Sequence, residues 1–98
     1  MEIKELTRSG IKNVNIEAVI VSISEPRTVT LRNGQQSRVA DAVLQDDSGD
    51  QISLSLWDSQ IDRFSEGDRV KIENGYTTEF RGKIQVNVGK YGNIVKVE

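Results

Sequence analysis

Val14, Ile16 and Ala18 alternate with polar neighbours, and the chain then runs apolar through Val19, Ile20 and Val21 before Ser22. A repeat of two places alternate side chains on one face of a strand, and the continuous stretch reads as that strand bending and burying both faces at a barrel corner. Val14 to Ile23 is therefore predicted strand 1. Arg38 to Gln45 is predicted strand 2. The Asp47-Ser48-Gly49-Asp50 turn joins it to Gln51 through Trp57, predicted strand 3. Between strands 1 and 2, Pro26 and Asn33-Gly34 punctuate the chain, so Thr28 to Ser37 reads as a loop or a ribbon extension with a tight turn.

After Trp57, either Asp58 or Ser59 can cap a short helical turn that carries Ile61 and Phe64 three positions apart on one face, as a plug for the barrel end. Arg69 to Glu73 is predicted strand 4, Asn74 to Gly82 an exposed connection, and Lys83 to Val88 predicted strand 5, which Ile94 to Val97 extends or returns. No window sustains an apolar repeat of 3.6 residues, so the chain is all-β. Five strands with a helical turn between strands 3 and 4 give the order of an OB-fold Greek-key barrel, whose strand 2 and 3 face binds oligonucleotides or oligosaccharides. A small SH3-type barrel is the other topology considered, and it does not need the insert carrying Ile61 and Phe64.

Composition narrows the function. A chain of 98 residues, 36% hydrophobic, fits one domain spanning residues 1–98. It has no Cys and no His, which removes disulfides, the usual zinc ligands and the commonest nucleophile and base pairs. An enzyme, a metal or another cofactor is not expected. Asp46, Asp47 and Asp50 are better explained by hairpin chemistry than by a bound ion. With no apolar run of ~18 residues and a charged start at Glu2, Lys4 and Glu5, no membrane partner is expected. The protein is expected in the cytoplasm with the nucleoid if prokaryotic, or in the nucleus if eukaryotic.

The net charge of −2 hides a division. Arg27, Arg32 and Arg38 have no acid among them, whereas Asp41 to Asp68 gathers eight acids against Arg63 alone. One surface is expected to be basic and the acidic segment to face away from it, although ordinary solvated faces explain the same charges.

Parity singles out Trp57. Ile52, Leu54 and Leu56 point one way, so Ser53, Ser55 and Trp57 share the other, polar face. An indole left in water is unfavourable by ~25 cal/mol per Å² unless a partner covers it. The alternative is that the ring folds back over the barrel end as a core cap. Tyr76 and Phe80, flanked by Gly75 and Gly82, share a face if their segment is extended, and Arg81 and Lys83 follow them. Aromatics interleaved with basic residues suit bases stacked on rings and phosphates held by cations, although Phe80 also suits a hairpin anchor.

The Asp47-Ser48-Gly49-Asp50 turn with Ile52 to Trp57, the run Glu66-Gly67-Asp68-Arg69-Val70, and Gly75-Tyr76-Thr77-Thr78-Glu79-Phe80-Arg81-Gly82-Lys83 together resemble the simple archaeal single-stranded DNA-binding proteins. The human sensor-of-ssDNA subunits are similar. The resemblance runs from about Leu6 to Val97 and implies that Trp57, Tyr76 and Phe80 stack on bases. Some relatives carry Trp where this chain has Tyr76. Many continue into a tail that recruits proteins, whereas this sequence stops at Glu98, which puts recruitment through a tail in doubt.

The expected role is binding of single-stranded DNA largely without sequence preference, protecting it in replication, recombination and repair. The expected groove crosses strands 2 and 3, with phosphates near Arg32, Arg38, Arg81, Lys83 and Lys90. A monomer is expected. RNA and a protein partner, including replication or repair proteins, stay open as other occupants of the same face.

Overall fold

The computed structural model describes residues 1–89 and 91–97. A 3-10 turn at Ile3–Glu5 precedes β1 (Val14–Ile23), β2 (Arg27–Thr30), β3 (Gln36–Gln45) and β4 (Gln51–Trp57). Helix α1 (Ser59–Arg63), β5 (Arg69–Phe80), β6 (Lys83–Asn87) and β7 (Asn93–Lys96) follow. β1 pairs with β3, the path continues through β4 and β6 to β5, and β5 pairs back onto β1. Five strands thus close on themselves, which removes the unpaired edges an open sheet would expose. The β4–β6 pairing is parallel and the others are antiparallel. With the short helix between β4 and β5, this is the OB barrel that the periodicity predicts.

Ile20, Leu44, Leu54, Leu56, Ile72 and Ile94 fill the interior at 1% exposure or less. Each fully buried side chain of this size contributes ~1.5–3 kcal/mol, so packing alone can hold a fold without cysteine. Ile3 and Leu6 join the core from the 3-10 turn and its edge, where no repeat of two marks them. Phe64 is buried at 5% exposure just past α1, with Ile61 packed against the same core, as the plug requires.

Three details depart from the reading of the sequence. Val21 is 46% exposed and not buried, because it keeps the outward parity of Asn15 and Glu17 on a strand whose Val14, Ile16, Ala18 and Ile20 point inward. A bulge follows, where Ile20 and Ser22 face the consecutive Leu44 and Val43, and its extra residue sets Ile23, not Ser22, opposite the buried Ala42. Of the two forms read for Thr28 to Ser37, the segment takes the ribbon: β2 pairs with β3, and a turn at Leu31–Gln35 connects them. Asp58 does not cap α1 with its side chain; its Oδ1 accepts the Arg38 backbone N–H at 3.0 Å and ties the helix start to β3. Finally, β5 continues through Phe80 where an exposed connection is predicted from Asn74 onward.

Candidate nucleic-acid interface

The site begins with register. Val39 lies opposite Trp57 and Asp41 opposite Ser55, while Ser55 faces Asn87 on β6 and Asn87 faces Tyr76 on β5. Cross-strand partners share a sheet face, so these residues form one outer surface of the barrel. Trp57 is half-buried there and lies outside the cluster of core residues. Its backbone N–H donates to Gln60 Oε1 at 3.0 Å, which fixes the end of β4.

A second bulge decides where Tyr76 points. Val14 pairs with Gly75 and Ile16 with Ile72, so β5 spends one residue more than β1 over this interval. The surplus falls at Glu73 and Asn74, which are both exposed, and Asn74 takes φ 54°. Val70 and Ile72 point inward before it, Gly75 and Thr77 after it. Tyr76, Thr78 and Phe80 therefore face out, whereas an unbroken strand would have turned them in. Asn15 Oδ1 accepts the Asn74 N–H at 3.1 Å and holds the bulge.

Trp57, Thr78 and Phe80 line one groove of about 380 Å³, together with Arg27, Val29, Thr30, Leu31, Val39, Ser55, Glu79, Gln85 and Asn87. Its floor is polar. Ser55 Oγ donates to Gln85 Oε1 at 3.3 Å, and Asn87 Nδ2 donates to Thr78 Oγ1 at 2.8 Å. Phe80 is 50% exposed and Tyr76 41%. Tyr76 belongs to the same outward row but lines the adjoining pocket, where its ring lies over the backbone of Gly89.

Arg81 and Gly82, at φ 52° and 78°, make the two-residue turn from β5 to β6, the geometry preferred for tight hairpins. The Arg81 guanidinium sits 5.2 Å from the Phe80 ring centroid, so the cation is held beside the exposed face. Lys83 pairs with Phe80 across the same hairpin. Arg32 lies in the β2–β3 turn beside the groove residue Leu31. Lys90 is outside the described residues.

Arg38 is not brought to this surface. It has the parity of the buried Ala40 and Ala42, opposite to Val39, and its guanidinium pairs with Asp62 Oδ2 at 2.9 Å on α1. Arg27, which belongs to the basic stretch expected to wall the groove but not to the expected phosphate contacts, lines the groove as well. Its register with Val39 turns it into the groove, where Nη1 meets Asp41 Oδ2 at 2.8 Å. The acidic segment accordingly does not all face away: Asp41 stands at the groove, while Asp62, Asp47 and Asp68 are engaged by Arg38, Arg69 and Lys96. The turn carboxylates Asp46 and Asp50 both accept from Ser48 Oγ, at 2.6 and 3.0 Å.

Such an arrangement can hold flat, apolar ligands against rings while its amides and hydroxyls meet their polar edges and its cations their charge. No helix among the described residues is long and apolar enough to cross a membrane. The sequence model of the Ssb-like single-stranded DNA binding proteins with an OB fold matches residues 6–96. The single-stranded DNA binding protein Ssb of Saccharolobus solfataricus is 32% identical over 89 residues, covering 91% of this chain and 59% of the relative. Replication factor A of Methanothermobacter thermautotrophicus is 35% identical over 89 residues, covering 85% of this chain and 11% of the relative. The chain thus spans less than two thirds of the length of these curated relatives. An OB domain from Thermoplasma acidophilum superposes with a TM-score of 0.83 at 23% identity, covering 99% of this chain and 85% of that one. With the family match running over nearly the whole barrel, the chain belongs to the Ssb-like single-stranded DNA binding proteins with an OB fold.

Proposed function

We propose that this domain binds single-stranded DNA largely without sequence preference, stacking bases on Trp57, Phe80 and Tyr76 and holding phosphates with Arg27, Arg32, Arg81 and Lys83. The observation that carries the reading is the outward row Tyr76–Thr78–Phe80 beside Trp57, with the Tyr76 and Phe80 rings left 41% and 50% exposed and Phe80 lining the polar-floored groove with Trp57. Every base has a π-face, so stacking at ~1–3 kcal/mol per base gives affinity without reading sequence. Relatives named single-stranded DNA binding protein and replication factor A support the same ligand. In this role the domain is a monomeric binding module, not an enzyme, and it covers single strands exposed in replication, recombination and repair.

Net charge of −2 makes stacking the larger source of affinity and charge the smaller one. Duplex DNA, whose bases already stack on one another, is a poor ligand for such a surface. The test follows the emission of Trp57, the single tryptophan, during titration with dT oligomers, matched RNA and duplex. Quenching by dT at low concentration, with duplex far weaker, is expected. Indifference to every oligonucleotide, or equal binding of duplex, contradicts the proposal, and RNA bound as tightly as DNA redirects it to RNA.

A further inference from the structure

The chain has eight glycines, and five of them sit at positive φ, where the backbone itself favours glycine. The other three, Gly75, Gly89 and Gly92, line one pocket. None of them has a positive φ, so their reason is space. A Cβ on Gly89 would stand 2.9 Å from Tyr76 Cε1, one on Gly92 2.9 Å from the Asn74 carbonyl oxygen, and one on Gly75 3.0 Å from that of Asn87. The walls are bare backbone because any side chain would collide with them.

This pocket has a volume of about 250 Å³ and lies between Tyr76 and Tyr91, with Lys12 and Asn13 also lining it. Its size is under the ~300 Å³ lower end for sites that enclose a drug-sized ligand, which suits a single base held from one side. Tyr91 is 83% exposed, and the Asn74 amide donates to its carbonyl oxygen at 3.2 Å, anchoring the turn that carries it to the β5 bulge. Lys12 makes no ion pair among the described residues.

The pocket lies next to the groove along β5, where Tyr76 of the pocket pairs with Asn87 of the groove. Phe80 and Thr78 line the groove and Tyr76, next in the same outward row of β5, lines the pocket. We propose that the pocket is a second base subsite: a single strand leaving the Trp57–Phe80 groove crosses Tyr76 and lays a further base between Tyr76 and Tyr91, with its phosphate toward Lys12. The inference rests on the single-strand binding proposed above and extends its path to an aromatic outside the trio.

Length separates the two claims. Parent and Tyr91→Ala are titrated with dT oligomers of ~4 to ~16 nucleotides, the range of site sizes for one OB fold. Both should bind the shortest oligomers equally, because those are satisfied by the groove. Above the length that reaches the pocket, the parent should tighten and Tyr91→Ala should bind about five- to a hundred-fold more weakly, the loss of one stack. Lys12→Ala should lower the salt dependence for long oligomers only. A parent that binds while Tyr91→Ala matches it at every length overturns the subsite alone, and an equal loss at all lengths overturns it too by placing Tyr91 in the main groove. A parent that binds no oligomer overturns the binding role and the subsite with it.

Discussion

Asp41 holds the Arg27 guanidinium at 2.8 Å through Oδ2, while its own Oδ1 is buried without a hydrogen-bond partner among the described residues. A carboxylate thus occupies a groove cation that a phosphate would otherwise take. Asp41→Asn keeps the shape and removes the competing charge. It should bind dT oligomers several-fold more tightly and steepen the dependence of log K on log salt by ~0.7, the increment for one further phosphate neutralised on a single strand. Weaker binding, or an unchanged slope, measured over a salt series would show that Arg27 does not reach the strand.

The other cations separate by face. Replacing Arg32, Arg81 or Lys83 with Ala should weaken binding modestly and reduce the salt slope by ~0.7 for each phosphate left without its cation. Arg38→Ala should leave that slope unchanged. Its guanidinium serves Asp62, an exposed pair of the kind worth ~0.2–1 kcal/mol of stability, so the expected change is a slightly lower melting temperature. A slope that falls with Arg38→Ala as it does with Lys83→Ala contradicts the placement.

The bulge at Asn74 is open to a backbone test. Asn tolerates its φ of 54° better than branched residues do, and Gly tolerates it best. Asn74→Gly should retain the fold and the binding of the short oligomers that the groove alone satisfies. Asn74→Val should cost ~1–2 kcal/mol through left-handed backbone strain and weaken binding further by misdirecting Tyr76. Thermal melts and oligomer titration of the two variants measure this directly, and equal behaviour of Gly and Val would count against a strained bulge.

Acid sensitivity has a local source at Asp46. The Ser48 hydroxyl, and after it the Ile3 backbone N–H, hold its carboxyl below the usual value of 3.8. A depressed folded value means that its stabilisation is present above pH 3.8 and is lost as pH falls below it through the folded value. Parent and Asp46→Asn should therefore differ most near neutrality and converge in acid. A stability gap that stays constant with pH would contradict this linkage.

Strand 1 was legible to the residue, since Val14 to Ile23 is bounded by polar residues and begins with a clean repeat of two. Trp57 could be placed for the same reason: nothing interrupts the alternation from Ile52 to Leu56. Alternation alone follows β5 only to Glu73, because its parity breaks at Glu73–Asn74 and a repeat of two cannot be followed across an inserted residue. The outward placement of Tyr76 came instead from the glycines and from spacing within its own segment.

Arg38 is a different failure, because its signal was present. Ala40, Ala42 and Leu44 share its parity and point inward, so Arg38 belongs to the face that leads onto α1. Arg27 had no such signal. Its place in the groove follows from the β2–β3 register, which becomes known only once the ribbon is formed. The bare pocket beside Tyr91 is likewise assembled from three separated glycines, and no local pattern announces it.

Trp57→Ala tests the central claim most directly, because one variant yields both an affinity and a stability. As one base stack on a half-buried ring, Trp57 should account for ~1–3 kcal/mol of single-strand affinity, a weakening of roughly five- to a hundred-fold. The melting temperature should fall only slightly. Loss of a core aromatic would instead cost ~3–5 kcal/mol of folding free energy, and at ~4–8 °C per kcal/mol it would lower the melting temperature by well over ten degrees. A variant that melts that far below the parent, or one that stays stable and binds dT oligomers as tightly as before, would contradict the assignment of this face as the binding surface.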